Sequence, residues 1–297
     1  MDVSLRFHKD MLVLGSPVET VLERLGVDAA RDMEFTLLFE PETLEKAYEL
    51  EALTGAQCVV APTGSLTPAR LAHARMEDKA EELAAEALRI VRETKPQHIL
   101  VELNPCGLPL DPDSKASLVE HRDQYARAAK LFAAAEFDAF FLNGFTSVTD
   151  LKCALMGVRK VSDAPVFASV NVSADATLAQ GAAAPVETLE EAAAVMAEYG
   201  AQVMGFATEA PVDAACEFVT RMLAAVPGET PLPALAQLVV EEGAGAYPEP
   251  DGMVECAAAL RAAGAQFLRA AGDATPAYAG ALVAATLGTD VVAVRSE

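Results

Sequence analysis

Glu102 and Arg269 are the charged residues of this chain that are hardest to explain as ordinary packing, because each interrupts an apolar run, HILVEL and FLRAAG. Such runs read as buried strands, and a lone charge facing the interior would cost on the order of several kcal/mol. The two residues therefore need each other, a ligand or bound water. Otherwise one or both point outward against covering helices and reach solvent along their stems. Asp273, just past the second run, is either a polar contact or part of the N-cap region of the next helix.

The remaining reactive groups are scattered. The five cysteines, Cys58, Cys106, Cys153, Cys216 and Cys256, are odd in number and lack any CxxC pair, which indicates neither a disulfide framework nor a zinc knuckle. Cys106 follows an apolar run but stands alone, as inert cysteines do, and the other four read as strand or helix core. His98 starts a run, His121 falls inside a helix and His73 precedes one, so each reads as packing or surface, while His8 is uninformative. No cofactor and no metal ligand set is expected from these residues.

The elements that must position these groups follow from periodicity. Short apolar runs alternate eight times with longer Ala/Leu/Glu stretches of helical period. The predicted strands are Met11 to Ser16, Gln57 to Thr63, His98 to Asn104, Ala139 to Phe145, Pro165 to Val172, Gln202 to Thr208, Leu232 to Val239 and Gln266 to Gly272. Helices are predicted at 41–55, 69–94, 114–135, 147–161, 186–199, 212–226, 251–263 and 276–287. Pro41 suits a first helical turn, and Gly55, Gly200 and Gly264 suit C-terminal caps.

Eight strand-then-helix units predict an α/β fold, a closed (β/α)8 TIM barrel in a single domain over residues 1–297, with the chain ends meeting near the first and eighth strands. The Ala-rich stretch from Ala174 to Pro185 reads as a surface excursion. In such a barrel a ligand lies at the C-terminal strand ends, here Ser16, Thr63, Asn104, Asn143, Asn171, Thr208, Gln237 and Asp273.

Composition narrows the partners. Hydrophobic residues make up 52% and charged residues 22%, which excludes general disorder. Lys and Arg number 22 against 44 Asp and Glu, giving a net charge of −22 that repels nucleic acid. That acidity is a solvated surface, a means of steering toward a basic partner or an adaptation to salt. No apolar run reaches the roughly 18–20 residues of a membrane span, and the opening MDVSLRFHKD lacks an export signal. Expected are a cytoplasmic protein, a small-molecule ligand at the barrel mouth, no nucleic-acid or membrane partner, and a protein partner left open.

Several segments together resemble one family over nearly the whole chain: LGSPVETVLERLG, PETLEKAYELEALTGAQCVVAPTGSLTPARL, FLNGFTSVTDLKCAL, VMGFATEAP and FLRAAGDATPAY. They are similar to the homocysteine S-methyltransferases, among them betaine–homocysteine methyltransferase and the homocysteine-binding module of cobalamin-dependent methionine synthase. The resemblance implies a TIM barrel that transfers a methyl group from a sulfonium, methyl-folate or corrinoid donor to the thiol of homocysteine, giving methionine. It also implies three zinc-binding cysteines at the ends of the sixth and eighth strands, where this chain has Thr208, Ala271 and Gly272. A hydroxyl, a methyl group and a hydrogen are poor substitutes for three thiolates.

Other family positions have changed too. Asn143 stands where the family's fourth-strand Glu holds the amino group, Leu14 where it opens with Asp, and Asp150 and Lys152 at its downstream Glu and Lys. Glu102 and Arg269 occupy positions where the family has small residues. The chain is expected to be a divergent member whose zinc-dependent step is lost or replaced, with candidate binding residues Glu102, Asn104, Asn143, Asn171, Thr208, Arg269 and Asp273. The alternatives are a non-catalytic ligand- or partner-binding barrel, or a barrel enzyme taking an anionic substrate through Arg269.

Overall fold

Eight parallel strands alternate with helices in the computed structural model, which describes residues 2–179, 186–228, 231–243 and 245–292. The strands are β1 (Leu12–Val13), β2 (Cys58–Ala61), β3 (His98–Leu103), β4 (Ala139–Phe145), β5 (Val166–Asn171), β6 (Val203–Thr208), β7 (Ala234–Val240) and β8 (Ala265–Gly272). They pair in the order β1, β8, β7, β6, β5, β4, β3, β2, and a bridge between Leu14 and Cys58 closes the ring. The fold is the (β/α)8 barrel. The chain ends meet beside β1 and β8, where Met11 N–H donates to Thr289 O at 3.0 Å and Val291 N–H to Lys9 O at 2.8 Å.

Because side chains alternate across a strand, every second residue faces the lumen. Leu12, Leu100, Phe141, Phe167, Leu235 and Phe267 form an apolar lumen layer, closed from the N-terminal end by Val3 and Phe7. The Phe167 and Phe267 rings meet edge to face at 4.8 Å. Burying each such side chain contributes roughly 1.5–3 kcal/mol. Two residues further along five of these strands stand Glu102, Asn143, Ser169, Gln237 and Arg269. The period that fills the lower lumen with hydrocarbon therefore fills the next layer with polar groups.

The helices between β1 and β2 are α1 (Val18–Arg24), α2 (Ala29–Phe39) and α3 (Pro41–Ala52), of which the sequence pattern indicated only the last. The stretch read as one helix over 69–94 is α4 (Pro68–Ala74) and α5 (Ala80–Glu93), because Arg75 ends α4 in the left-handed region at φ 57°. The later helices are α6 (Lys115–Lys130), α7 (Val148–Arg159), α8 (Leu189–Glu198), α9 (Val212–Ala225), α10 (Met253–Ala262) and α11 (Pro276–Thr286).

The excursion after β5 is only partly at the surface. Val172 bridges Leu178, and Ala176 and Leu178 are buried, so this part covers the barrel; residues 180–185 lie outside those described. Among the described residues, no helix is long and apolar enough to cross a membrane.

Candidate functional site

Glu102 and Arg269 both face the lumen, and their partners come from across the barrel. Arg269 Nε donates to Gly15 O at 2.9 Å, its Nη1 to Gln237 Oε1 at 3.2 Å, and the same Nη1 stands 3.9 Å from Glu102 Oε1. Asn143 Nδ2 donates to Glu102 Oε1 at 2.7 Å, while Gln237 Nε2 donates to Asn143 Oδ1 at 2.9 Å and to Ser169 Oγ at 2.7 Å. The guanidinium also lies 5.5 Å from the Phe141 ring centroid. These contacts join the segment just after β1 with β3, β4, β5, β7 and β8, which is possible only inside the barrel.

Burial dominates the electrostatics of this layer. Desolvation pushes the Glu102 carboxyl up to about 7, against the pull of Arg269 and the Asn143 amide, so Glu102 exchanges a proton near neutrality. Glu51 of α3 forms a second buried carboxyl nearby. It accepts from Ser16 N–H at 3.0 Å and Ser16 Oγ at 2.5 Å, and burial raises its pKa as well. Glu51, Ser169 and the bridging role of Gln237 were missed from the sequence, although the lumen period found in Leu100 and Glu102 would have indicated Ser169.

The mouth above the layer is less uniform. Thr63 Oγ1 donates to Glu102 O at 2.8 Å, Thr208 Oγ1 accepts from Ala210 N–H at 3.2 Å, and Asp273 Oδ2 accepts from Glu242 N–H at 2.8 Å. Asp273 is thus a loop brace after β7; Thr275 is the N-cap of α11. Asn171 ends β5, and its carbonyl accepts from Ala179 N–H at 2.9 Å.

A cavity of about 1070 Å³ opens on the β2–β3 side of the mouth, and of the seven candidate binding residues only Asn104 lines it. Asn104 Oδ1 is buried there without a hydrogen-bond partner in the protein. The cavity wall also carries Glu19, Glu23, Asp28 and Glu34 against Arg31 and Arg70, an excess of carboxylates.

Cys106 borders the same cavity and joins a third buried grouping behind its wall. Its Sγ lies 3.6 Å from His121 Nδ1, which lies 3.0 Å from Asp150 Oδ1; His121 Nε2 faces Pro109 O at 3.3 Å. Tyr125 OH bonds both Asp150 oxygens at 3.0 Å and accepts from Cys106 N–H at 3.0 Å. The Cys106, His121 and Asp150 ligand atoms all lie within 4.8 Å of one another, close enough to hold one metal ion. No short motif links these residues; α6, the start of α7 and the loop after β3 bring them together. Lys152, two residues past Asp150, lies over the Tyr199 ring at 4.7 Å.

An eight-stranded α/β barrel with polar groups gathered at its C-terminal mouth is the architecture in which barrel proteins carry their sites. The family model for homocysteine S-methyltransferase matches residues 12–287, and the chain belongs to that family. Among solved structures it is similar to the metallated form of the homocysteine methyltransferase MmuM from Escherichia coli, with a TM-score of 0.76 at 16% identity over 95% of this chain and 98% of that one. The apo form gives 0.70 at 17% identity, covering 93% of this chain and 96% of that one. The carboxyl transferase domain of Rhizobium etli pyruvate carboxylase gives 0.56 at 14% identity, covering 96% and 44% of the two chains. No curated protein matches the chain by sequence.

The positions that the family resemblance assigns to zinc lie at the ends of β6 and β8. Thr208 offers a hydroxyl already engaged with Ala210 N–H, and Ala271 offers no donor. Gly272 has φ +65°, and a Cβ there would stand 2.5 Å from Val240 O, so even a cysteine would not fit without backbone movement. These residues do not fit a thiolate-held zinc ion.

Proposed function

We propose that this chain is a divergent family member that binds a small, amino-bearing, amino-acid-like ligand in the mouth cavity and has lost the zinc-dependent activation of a thiol at the strand ends. The observation that carries the reading is the wall of the mouth cavity, where Asn104 stands among Glu19, Glu23, Asp28 and Glu34, in excess over Arg31 and Arg70. That excess of carboxylates supplies a field that favours a ligand ammonium, and a small turn of the Asn104 side chain would bring its unpaired Oδ1 to the same group. Such a ligand matches the amino end of homocysteine, whereas an anionic ligand meets the wrong charge.

Arg269 gives little support to anion recognition, because its side chain is buried and turned to Gly15 O, Gln237 and Glu102. A cytoplasmic location, the absence of a nucleic-acid partner and an undefined methyl donor belong to the same reading. Calorimetric titration with homocysteine, methionine and their des-amino analogues tests it. Binding that requires the amino group and weakens in Asn104→Ala supports it, while equal binding of the des-amino acids would refute it.

A further inference from the structure

The grouping of Cys106, His121 and Asp150 has the wrong geometry for a nucleophile–base–acid relay. In a relay the thiol and the carboxylate meet opposite nitrogens of the imidazole. Here both face Nδ1, at 3.6 and 3.0 Å, and Nε2 faces Pro109 O. A carbonyl only accepts, so Nε2 carries a proton. Nδ1 then holds either a second proton shared with Asp150 or a lone pair, and a lone pair facing both a thiol and a carboxylate marks the point where a cation would be held by all three.

The donor set is specific in chemistry. One sulfur, one imidazole nitrogen and one carboxylate oxygen suit zinc and similar borderline metals, and disfavour magnesium and calcium. Metal–ligand distances of about 2.0–2.3 Å put neighbouring donors around a tetrahedral ion roughly 3.3–3.6 Å apart. Two of the three donor separations, 3.0 and 3.6 Å, need little adjustment, and the third, between Cys106 and Asp150, lies within 4.8 Å. The surroundings already support such a site: Tyr125 OH holds both Asp150 oxygens, and Ser147 Oγ caps the Asp150 N–H at the start of α7.

We propose that Cys106 Sγ, His121 Nδ1 and an Asp150 carboxylate oxygen bind one zinc-type divalent cation, pinning the loop after β3 to α6 and α7 behind the cavity wall. This replaces the sequence-based expectation of a metal-free chain and does not depend on what the mouth binds. On uptake the Cys106 thiol releases its proton and the cation takes the vacated lone pair, so binding strengthens as pH rises. Burial pushes the Cys106 thiol up in the metal-free chain, and a bound cation reverses that shift.

The test uses the full chain freed of metal by a chelator and titrated with cobalt(II), then with zinc. Expected is saturation at one equivalent, a thiolate-to-cobalt charge-transfer absorption, and displacement of cobalt by zinc. Cys106→Ser should abolish that absorption and weaken zinc binding by about 100-fold or more, and Tyr125→Phe by about 10-fold, the scale of a lost supporting contact. Cys216→Ser, on α9, should leave both unchanged. Absence of saturable uptake, or a charge-transfer band that survives Cys106→Ser or vanishes in Cys216→Ser, would overturn the proposal. If Cys106→Ser does not fold, the wild-type titration with His121→Gln decides on the same criteria.

Discussion

The lumen layer and the wedge behind Cys106 are both buried polar groupings at the same end of the barrel, yet they are satisfied in different ways. In the lumen, Glu102, Asn143, Ser169, Gln237 and Arg269 meet one another and Gly15 O, so the charges are compensated within the protein. In the wedge, a thiol and a carboxylate converge on one nitrogen. One barrel end thus satisfies buried polar groups in two ways: across the lumen they bind each other, while the donors next door are left facing a common point.

The largest expected effect concerns the lumen. Arg269→Ala leaves the Glu102 carboxyl without its compensating charge, and denaturant unfolding should show a loss of about 3 kcal/mol or more. Replacing both residues together, Glu102→Gln with Arg269→Met, should cost distinctly less than the sum of the single changes. Additive losses would make the two residues independent and dissolve the contrast with the wedge.

Glu102 also gives the lumen a pH signature. The folded chain keeps its proton up to about pH 7, whereas an ordinary carboxyl loses it at 4.5, so between these values the folded state binds more protons and stability falls as pH rises. That interval corresponds to on the order of 3 kcal/mol at full burial. The stability difference between wild type and Glu102→Gln, followed from pH 4 to 8, should therefore move against the wild type. A pH-independent difference would mean that Glu102 titrates normally.

A family-type thiol can be placed back at the end of β8. Gly272→Cys places a Cβ against Val240 O at positive φ and should cost roughly 1–3 kcal/mol without creating a zinc site. The smallest expected effect lies in the wedge, where Tyr125→Phe removes the hydrogen bonds to Asp150 and Cys106 N–H and should cost about 1–1.5 kcal/mol in metal-free protein. Thermal unfolding of these variants checks both values.

Most of the barrel is legible in the sequence because burial on both faces makes each strand a continuous apolar run bounded by turn residues. β4 matches Ala139–Phe145 throughout, and the glycine caps at Gly55, Gly200 and Gly264 all have positive φ. The two helices after β1 escaped because Pro17, Gly26 and short spans interrupt their period. The break at Arg75 leaves almost no signal, since a left-handed arginine is a conformational choice and not a residue type.

The site divides in the same way. Glu102 and Arg269 announce themselves as charges in apolar runs, but runs apolar on both faces leave their facing open, and only the fold turns both into the lumen. Cys106, His121 and Asp150 each look ordinary alone, because nothing local records that three separate elements direct them to one point. Asn104 could be placed at the mouth from its strand, but its unpaired acceptor exists only in three dimensions.

Loss of the strand-end zinc chemistry implied by the family is tested by incubating the zinc-supplied wild type and Cys106→Ser with homocysteine and a methyl sulfonium donor and measuring methionine with and without a chelator. No zinc-dependent methionine formation is expected in either chain. Turnover that requires zinc in both chains, and stops in both when the ion is chelated, would show that chemistry to be intact.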